Sequence, residues 1–495
     1  MTKYRDCLPA TPANRSTAAR ERDRCGSCRR IGRVSRLRIF VMGGSYSGLL
    51  LVAMAGLVAA GPALGEQLTT RPASLENQVE PAGSPPSAQE RVAEAEAVQP
   101  TDEAASETEA AAESEPRKPL MRFFDAAGLG EGMDAIGLNA FGWVETSFTG
   151  ILTGPGGSRA GLPLRVYESR KPDNLKMNQL AIILERSYDK DKDVDLGFRV
   201  DPIFGADSRL NASVGLLDHE THTHSFDLAQ FYTQLWIKTA ENQGLEVTFG
   251  KWYTTIGAEV IPSPLNWLPT RSMLFGYGPF THTGVLGRYY IDNWNFHFGA
   301  SRGWDQFKDN NHGASWHAGF GVDSKQQCGD EPRSRFGFNY IGGPEEITKD
   351  YGGQNRHIWN AVWTYKWTQK LTQVIDSYYA WEDDVPGLSK NGSRPRRRDN
   401  SWYGISYMLN YQFNDYLNTT GRIEWFGDNY GQRTGYPGNF YSLTAGLGYT
   451  PFPKDPWLSG LLIRPELRWD FSDNNAPFVD EGQQLTATLS VVYSF

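Results

Sequence analysis

Arg464, Glu466, Arg468 and Asp470 stand at every second position of the run 459–471, with Leu461, Ile463, Leu467, Trp469 and Phe471 interleaved. The run 416–427 repeats the pattern, with Arg422 and Glu424 set against Ile423 and Trp425. In 193–205, Asp195, Arg199 and Asp201 alternate with Leu196, Phe198 and Val200. Asp376 and Arg288 are isolated charges in similar surroundings, Arg288 lying between Val285 and Tyr289. Successive side chains of an extended chain point to opposite faces, so each run carries one apolar and one charged face. Charges of both signs along one wall do not by themselves break bonds. They make a wet surface along which ions and polar solutes pass. Placed in lipid near the midplane, each Arg would cost about 2–4 kcal/mol and each Asp or Glu less, so they are expected to line the lumen of a closed barrel.

Other reactive groupings are weaker. Cys25-Gly-Ser-Cys28 is half a zinc site without its second half. His219, His222 and His224 share one long loop, where solvated histidines are a plainer reading than a weak metal site. Arg394, Arg396, Arg397 and Arg398 form a basic loop tip, suited to solvent or to an anionic lipid or surface glycan. No Ser–His–acid arrangement stands out, so no catalytic residue, cofactor or metal is expected.

The elements that carry the charges follow from composition. The chain has 495 residues, only 39% of them hydrophobic, with a mean hydropathy of −0.50. A bundle of membrane helices, each needing about 20 apolar residues, is excluded. Trp, Tyr and Phe nevertheless number 15, 23 and 25, and only Tyr4, Phe40 and Tyr46 precede residue 119. A polar chain rich in aromatics and glycine fits a transmembrane β-barrel, whose signal is spread over alternating strands.

Three parts are expected. Residues 1–65 hold 11 basic and 3 acidic side chains, the apolar core Leu49–Ala60, and Ala63 and Gly65 placed as at a cleavage site. They fit a signal peptide with a long basic n-region. Residues 66–118 hold 4 basic and 12 acidic side chains and no aromatic ring. This Ala/Glu/Pro/Ser stretch fits a disordered acidic spacer. The basic excess is confined to the N-terminus, so no nucleic-acid partner is expected. Residues 119–495 fit an outer-membrane β-barrel.

Sixteen strand-like runs are predicted, at 138–152, 176–189, 193–205, 225–239, 244–256, 281–292, 294–305, 314–323, 335–343, 356–367, 370–383, 399–413, 416–427, 439–450, 459–471 and 483–495. Most joins on one side are tight, with 324–334 and 451–458 as longer exceptions, and most on the other are long, such as 153–175, 206–224, 257–280 and 384–398. That asymmetry and the even count place both termini on the periplasmic side. Trp359, Trp363, Tyr365 and Trp367, and Tyr403, Tyr407, Tyr411 and Phe413, are expected at lipid–water boundaries. The last strand ends on Phe495, resembling the termini that outer-membrane barrels present to the barrel-assembly machinery. The loop 257–280 is stiffened by Pro262, Pro264 and Pro269, and its apolar residues suit open water poorly. It is expected to fold inward and narrow the pore, with Glu259, Asn266 and Arg271 at the constriction. A lid over the barrel mouth is the competing arrangement.

Gly250-Lys251-Trp252-Tyr253, Gly257-Ala258-Glu259, Pro264-Leu265-Asn266, Arg271-Ser272 and Phe280-Thr281-His282-Thr283-Gly284 resemble the putative β-barrel porin-2 (OmpL-like) family. So do Gly421-Arg422-Ile423-Glu424-Trp425-Phe426 and Ile463-Arg464-Pro465-Glu466-Leu467-Arg468-Trp469-Asp470. The resemblance covers most of 135–495 and implies a bacterial outer-membrane channel. The expectation is therefore a porin for small hydrophilic solutes or ions, in contact with outer-membrane lipid and admitting a homo-trimer. A structural, envelope-anchoring or adhesion barrel without an open pore is the alternative. A barrel enzyme would need hydrolysis lost on one Ser or His substitution.

Overall fold

The computed structural model describes residues 117–153, 174–217, 224–345, 354–386, 397–473, 477–478 and 481–495. The expected signal and the spacer up to residue 116 lie outside them, as do His219, His222, Arg394 and Arg396.

Sixteen strands close into one antiparallel barrel. They are β1 (Asn139–Thr153), β2 (Leu175–Arg186), β3 (Val194–Gly205), β4 (Ser225–Ala240), β5 (Gln243–Tyr253), β6 (Thr281–Ile291), β7 (Trp294–Ser301) and β8 (Ser315–Asp323). Then follow β9 (Ser334–Pro344), β10 (Asn355–Thr368), β11 (Leu371–Pro386), β12 (Arg397–Asn414), β13 (Leu417–Asp428), β14 (Gly438–Tyr449), β15 (Leu461–Ser472) and β16 (Gln483–Ser494). Each expected run coincides with one strand, with ends shifted by a few residues. Closure is made by β1 and β16, in a register running from Trp143↔Ser494 to Thr153↔Leu485. Phe495 completes the seam, its N–H donating to Gly142 O and its carbonyl accepting from Gly142 N. A closed barrel leaves no strand edge unpaired, so the backbone polar groups of the wall pair with neighbouring strands rather than with lipid.

Alternation sorts the side chains. On β15, Arg464, Glu466, Arg468 and Asp470 are buried inside while Leu467 and Trp469 are exposed outside. On β16, Thr486, Thr488, Ser490 and Val492 point in and Leu489 points out. Outward rings form belts across neighbouring strands. Tyr340 pairs with Trp359, Trp359 with Tyr379, and Tyr379 with Tyr403, at one level of β9 to β12. Trp367, Tyr411, Phe413 and Tyr449 are exposed at the other end. Two aromatic belts flanking an apolar band fit a bilayer with its two interfaces.

At the end carrying the termini the connections are mostly short. Two of them need positive φ, supplied by Asn242 (φ +58°) and Asp292 (φ +50°). Asn and Asp tolerate this conformation because their short polar side chains bond locally. The longer join between β8 and β9 contains a small ribbon, Gln327–Cys328 paired with Glu331–Pro332.

Two features differ from the sequence expectation. First, the barrel does not begin at residue 119. Two helices, α1 (Pro119–Ala126) and α2 (Gly130–Ala135), precede β1. Pro119 occupies the first turn, where its missing N–H costs nothing. Met121 is buried beneath β1, its Sδ accepting from Ala140 N at 3.3 Å, and the Arg117 guanidinium joins Asp125 of α1 to Asp134 of α2. A search tuned to a period of two overlooks so short a helical pair. Second, the lumen is not hydrophilic throughout. Toward the end opposite the termini, Ile358, Tyr378, Ala380, Trp402, Phe426 and Phe440 point inward and form an apolar core. Period alone marks a face as inward, but it does not say what fills the space behind it.

The outward band gives a direct expectation. Leu467 is half exposed in the middle of β15. Leu467→Arg should lower the stability of the barrel in lipid vesicles by about 2–4 kcal/mol, read from the denaturant midpoint of folding. Leu467→Phe should leave that midpoint nearly unchanged.

Candidate functional site

The chain leaves β5 at Tyr253 and returns to the wall at Thr281. The intervening loop lies inside the barrel rather than over its mouth. A 3-10 turn (Ser263–Leu265) and a short helix, labelled α4 (Met273–Tyr277), are its only regular elements. A four-residue helix, α3 (Ser208–Asn211), follows β3 elsewhere. Ser272 caps α4, its Oγ accepting from Phe275 N at 3.1 Å.

Two side chains build the loop from within. Asn266 Oδ1 accepts from Val260 N, while its Nδ2 donates to Val260 O at 3.0 Å and to Pro262 O at 2.7 Å. Arg271 is 1% exposed. Its guanidinium donates to the carbonyls of Val260, Ile261, Leu268 and Pro269 at 3.0–3.4 Å. A proline-rich segment forms few backbone hydrogen bonds of its own, so buried carbonyls need side-chain donors. The five-donor fork of arginine meets that need.

The barrel wall then fastens the loop. Glu259 accepts from Ser272 N through Oε2 and from Arg422 Nη1 through Oε1, both at 2.7 Å. Arg422 Nη1 also donates to Thr270 O at 2.8 Å. Glu466 accepts from Thr270 Oγ1 at 2.5 Å and from Thr270 N at 3.2 Å. Glu424 accepts from Met273 N at 2.8 Å. Arg464 donates to Ser263 O and Asn266 O at 3.0 and 2.7 Å, and pairs with Glu145 at 2.8 Å. Arg468 reaches Arg271 O at 2.7 Å and Asp470 at 2.8 Å. On the facing side, Asp376 accepts from Ala258 N at 2.8 Å. Apolar contacts complete the fit. Leu274 and Tyr277 enter the core of β10 to β14, and Ala258 and Trp267 pack on Val362, Val374 and Met408. Ile261 and Phe280 join Phe141, Trp143, Ile183 and Val492 on the opposite wall.

The structure thus brings together Glu259, Asn266, Arg271, Asp376, Arg422, Glu424, Arg464, Glu466, Arg468 and Asp470. It keeps three of the expected lumen charges apart from the loop. Asp195 pairs with Arg186 at 3.1 Å near the terminus end. Arg199 pairs with Glu185 and Asp201 at 2.7 and 2.8 Å. Arg288 lies 3.8 Å from Glu246.

Sequence reasoning missed three ties. Gln179 accepts from Ser263 N and donates to Ile261 O. Asn360 accepts from Gly257 N and donates to Asp376. Glu145 holds Arg464. All three are polar residues at inward positions of apolar-looking strands, and the alternation that flagged Arg464 also marks them. Among the described residues no group of three His, Cys, Asp or Glu side chains could hold a metal ion.

Removing one partner of a buried pair leaves the other uncompensated, at a cost of about 3–5 kcal/mol. Arg464→Met strands Glu145 and frees the carbonyls of Ser263 and Asn266. It should therefore open the loop to limited proteolysis within 257–280 while the strands stay protected, as read by mass spectrometry of the fragments.

The family description "Putative beta-barrel porin-2, OmpL-like" matches residues 137–495. Among solved structures, the chain is similar to the outer membrane channel DcaP of Acinetobacter baumannii, at 12% identity, with 72% of this chain and 97% of that chain covered and a TM-score of 0.44. It is similar to an anion-selective porin from Comamonas acidovorans, at 10% identity, 72% and 99% coverage and a TM-score of 0.45. It is also similar to Pseudomonas putida OprB, at 11% identity, 75% and 97% coverage and a TM-score of 0.47. A comparison with curated proteins finds no match.

Proposed function

This chain belongs to the putative beta-barrel porin-2, OmpL-like family and is an outer-membrane porin, and on that premise we propose how it selects what passes. Small hydrophilic solutes and ions diffuse through the lumen, and the inward loop 257–280 sets the bore. The observation that carries this reading is the fastening of that loop to Arg422, Glu424, Arg464 and Glu466 halfway along β13 and β15. Glu259 and Arg271 act as constriction residues by holding the loop's shape. Both spend their charge inside the loop and on the wall, so the filter at this level works by size. Ion preference falls to charges away from the loop that keep some exposure, Asp195 among them.

The rest of the molecule is read to match. Residues 1–65 are a cleaved signal, 66–118 an acidic periplasmic spacer, and the termini periplasmic. The short turns at the terminus end and the longer connections opposite support that orientation. The two-way bond between Phe495 and Gly142 completes the β1–β16 seam, and the terminal Phe suits delivery by the barrel-assembly machinery. The exposed apolar exterior fits outer-membrane lipid and leaves room for a homo-trimer. The protein passes solutes and does not transform them.

Excision of residues 260–276, bridged by Gly-Ser, tests the bore. Single-channel conductance in planar bilayers should rise several-fold, and larger neutral sugars should enter proteoliposomes. An unchanged conductance would mean that the current takes a path the loop does not border.

A further inference from the structure

A second inward element lies at the end of the barrel opposite the termini. After β13 the chain turns at 429–437, and the Asp428 carboxylate gathers that turn. It accepts from the N–H groups of Gln432, Arg433 and Thr434 at 3.1, 2.9 and 2.8 Å, and from Thr434 Oγ1 at 3.0 Å. The turn is thereby preshaped, and it delivers one side chain, Arg433. The Arg433 guanidinium lies over the ring of Trp402, 3.9 Å from its centre, and 5.7 Å from the centre of Trp304. Arg356 of β10 faces the same Trp304 at 5.0 Å.

The carboxylates beneath this pair are committed unequally. Glu382 binds Arg356 at 3.0 and 3.2 Å, and accepts from Gln432 Nε2 at 3.1 Å. Its contact with Arg433 Nη2 is 3.5 Å, too long for a charge-assisted hydrogen bond. Glu345 accepts from Trp304 N and Ser315 Oγ and lies 3.9 Å from Arg356. Arg433 Nε and Nη2, the two nitrogens of one guanidinium edge, are buried and make no hydrogen bond, and the same holds for the indole nitrogens of Trp304 and Trp402. Exposure is also unequal. The side chains of Arg433 and Arg356 are 20% and 16% exposed, against 5% and 1% for Glu382 and Glu345. Burial, together with the neighbouring Arg356, pulls the Arg433 pKa down to about 9, so its charge is held at a cost that an incoming anion would relieve.

We propose that Arg433, backed by Arg356 and clamped over Trp402, is a binding site for the carboxylate group of small solutes at the loop end of the lumen. The solute's two oxygens take the Nε–Nη2 edge of Arg433 in place of the long contact to Glu382. Planar bidentate pairing of this kind is what a guanidinium offers and an ammonium does not. The ring of Trp402 holds the plane in position, so little side-chain freedom is lost on binding. This deepens the porin reading and rests on it only for the route by which the solute arrives.

The test uses the full barrel, purified in detergent, with succinate as probe and isothermal titration calorimetry as readout. Wild type should bind succinate and not the neutral succinamide. Arg433→Gln should weaken succinate binding by about tenfold or more, the loss of a charge-assisted pair. Arg433→Lys should weaken it as well, because the fork is lost though the charge remains. Lys308→Gln, an exposed cation of loop 302–314, should bind as wild type does. Equal binding of succinamide, no binding by wild type, or unchanged binding by Arg433→Gln would each overturn the site. Conductance in plain KCl, measured on the same preparation, reports on the porin reading separately. A silent barrel that still binds succinate would sink the channel and spare the site.

Discussion

An ionised side chain inside a closed barrel must find either water or a partner, and here the partners come from one loop drawn through the lumen. Arg422, Glu424, Arg464, Glu466 and Arg468 cannot face lipid, and all five are buried. A barrel of this circumference with an empty bore would leave them to water. Residues 257–280 fill that place, and their backbone carbonyls and amides answer the wall charges group by group. The dependence is mutual. The proline-rich loop has too few hydrogen bonds of its own to keep one shape, and the wall charges would be unsatisfied without it.

Much of this organisation was legible in the sequence. The alternation of Arg464, Glu466, Arg468 and Asp470 with Leu467 and Trp469 reports a wall with one lipid and one interior face, because the period of a strand is two. The same period, with the rhythm of tight turns and long loops, identifies all sixteen strands. What it cannot report is contact between inward faces and a distant segment. Glu259 is 163 residues from Arg422, and no local pattern links them. That is why Arg271 reads in sequence only as a charge at the constriction, whereas its guanidinium is consumed by four loop carbonyls. The apolar core around Trp402, Phe426 and Phe440 was hidden for the same reason. Inward aromatic residues on a barrel strand signal a plug only when the plug is known.

The short helices α1 and α2 escaped for another reason. Met121 and Phe124 are spaced for a helix, but eight residues are too few to stand out against the strands that follow. Arg433 escaped because nothing in its neighbours distinguishes an inward-turned loop from a solvated one. Asp428, five residues earlier, makes the difference by gathering three successive amides.

Two levels of discrimination follow from this division. The loop 257–280 acts as a rigid element whose charges are internally spent, and it governs size. Charges that keep some exposure, such as Arg433 at the loop end and Asp195 at the terminus end, govern the sign and shape of what is admitted. The first claim is the central one, and cross-linking tests it most directly. Leu268 lies against β14, where a Cβ on Gly446 would sit 2.6 Å from Leu268 Cδ2. A Leu268→Cys, Gly446→Cys pair should form a disulfide in the oxidising envelope and leave single-channel conductance at the wild-type value. Failure to cross-link, or a cross-link that sharply changes conductance, would show that the loop of the conducting protein does not rest on this wall.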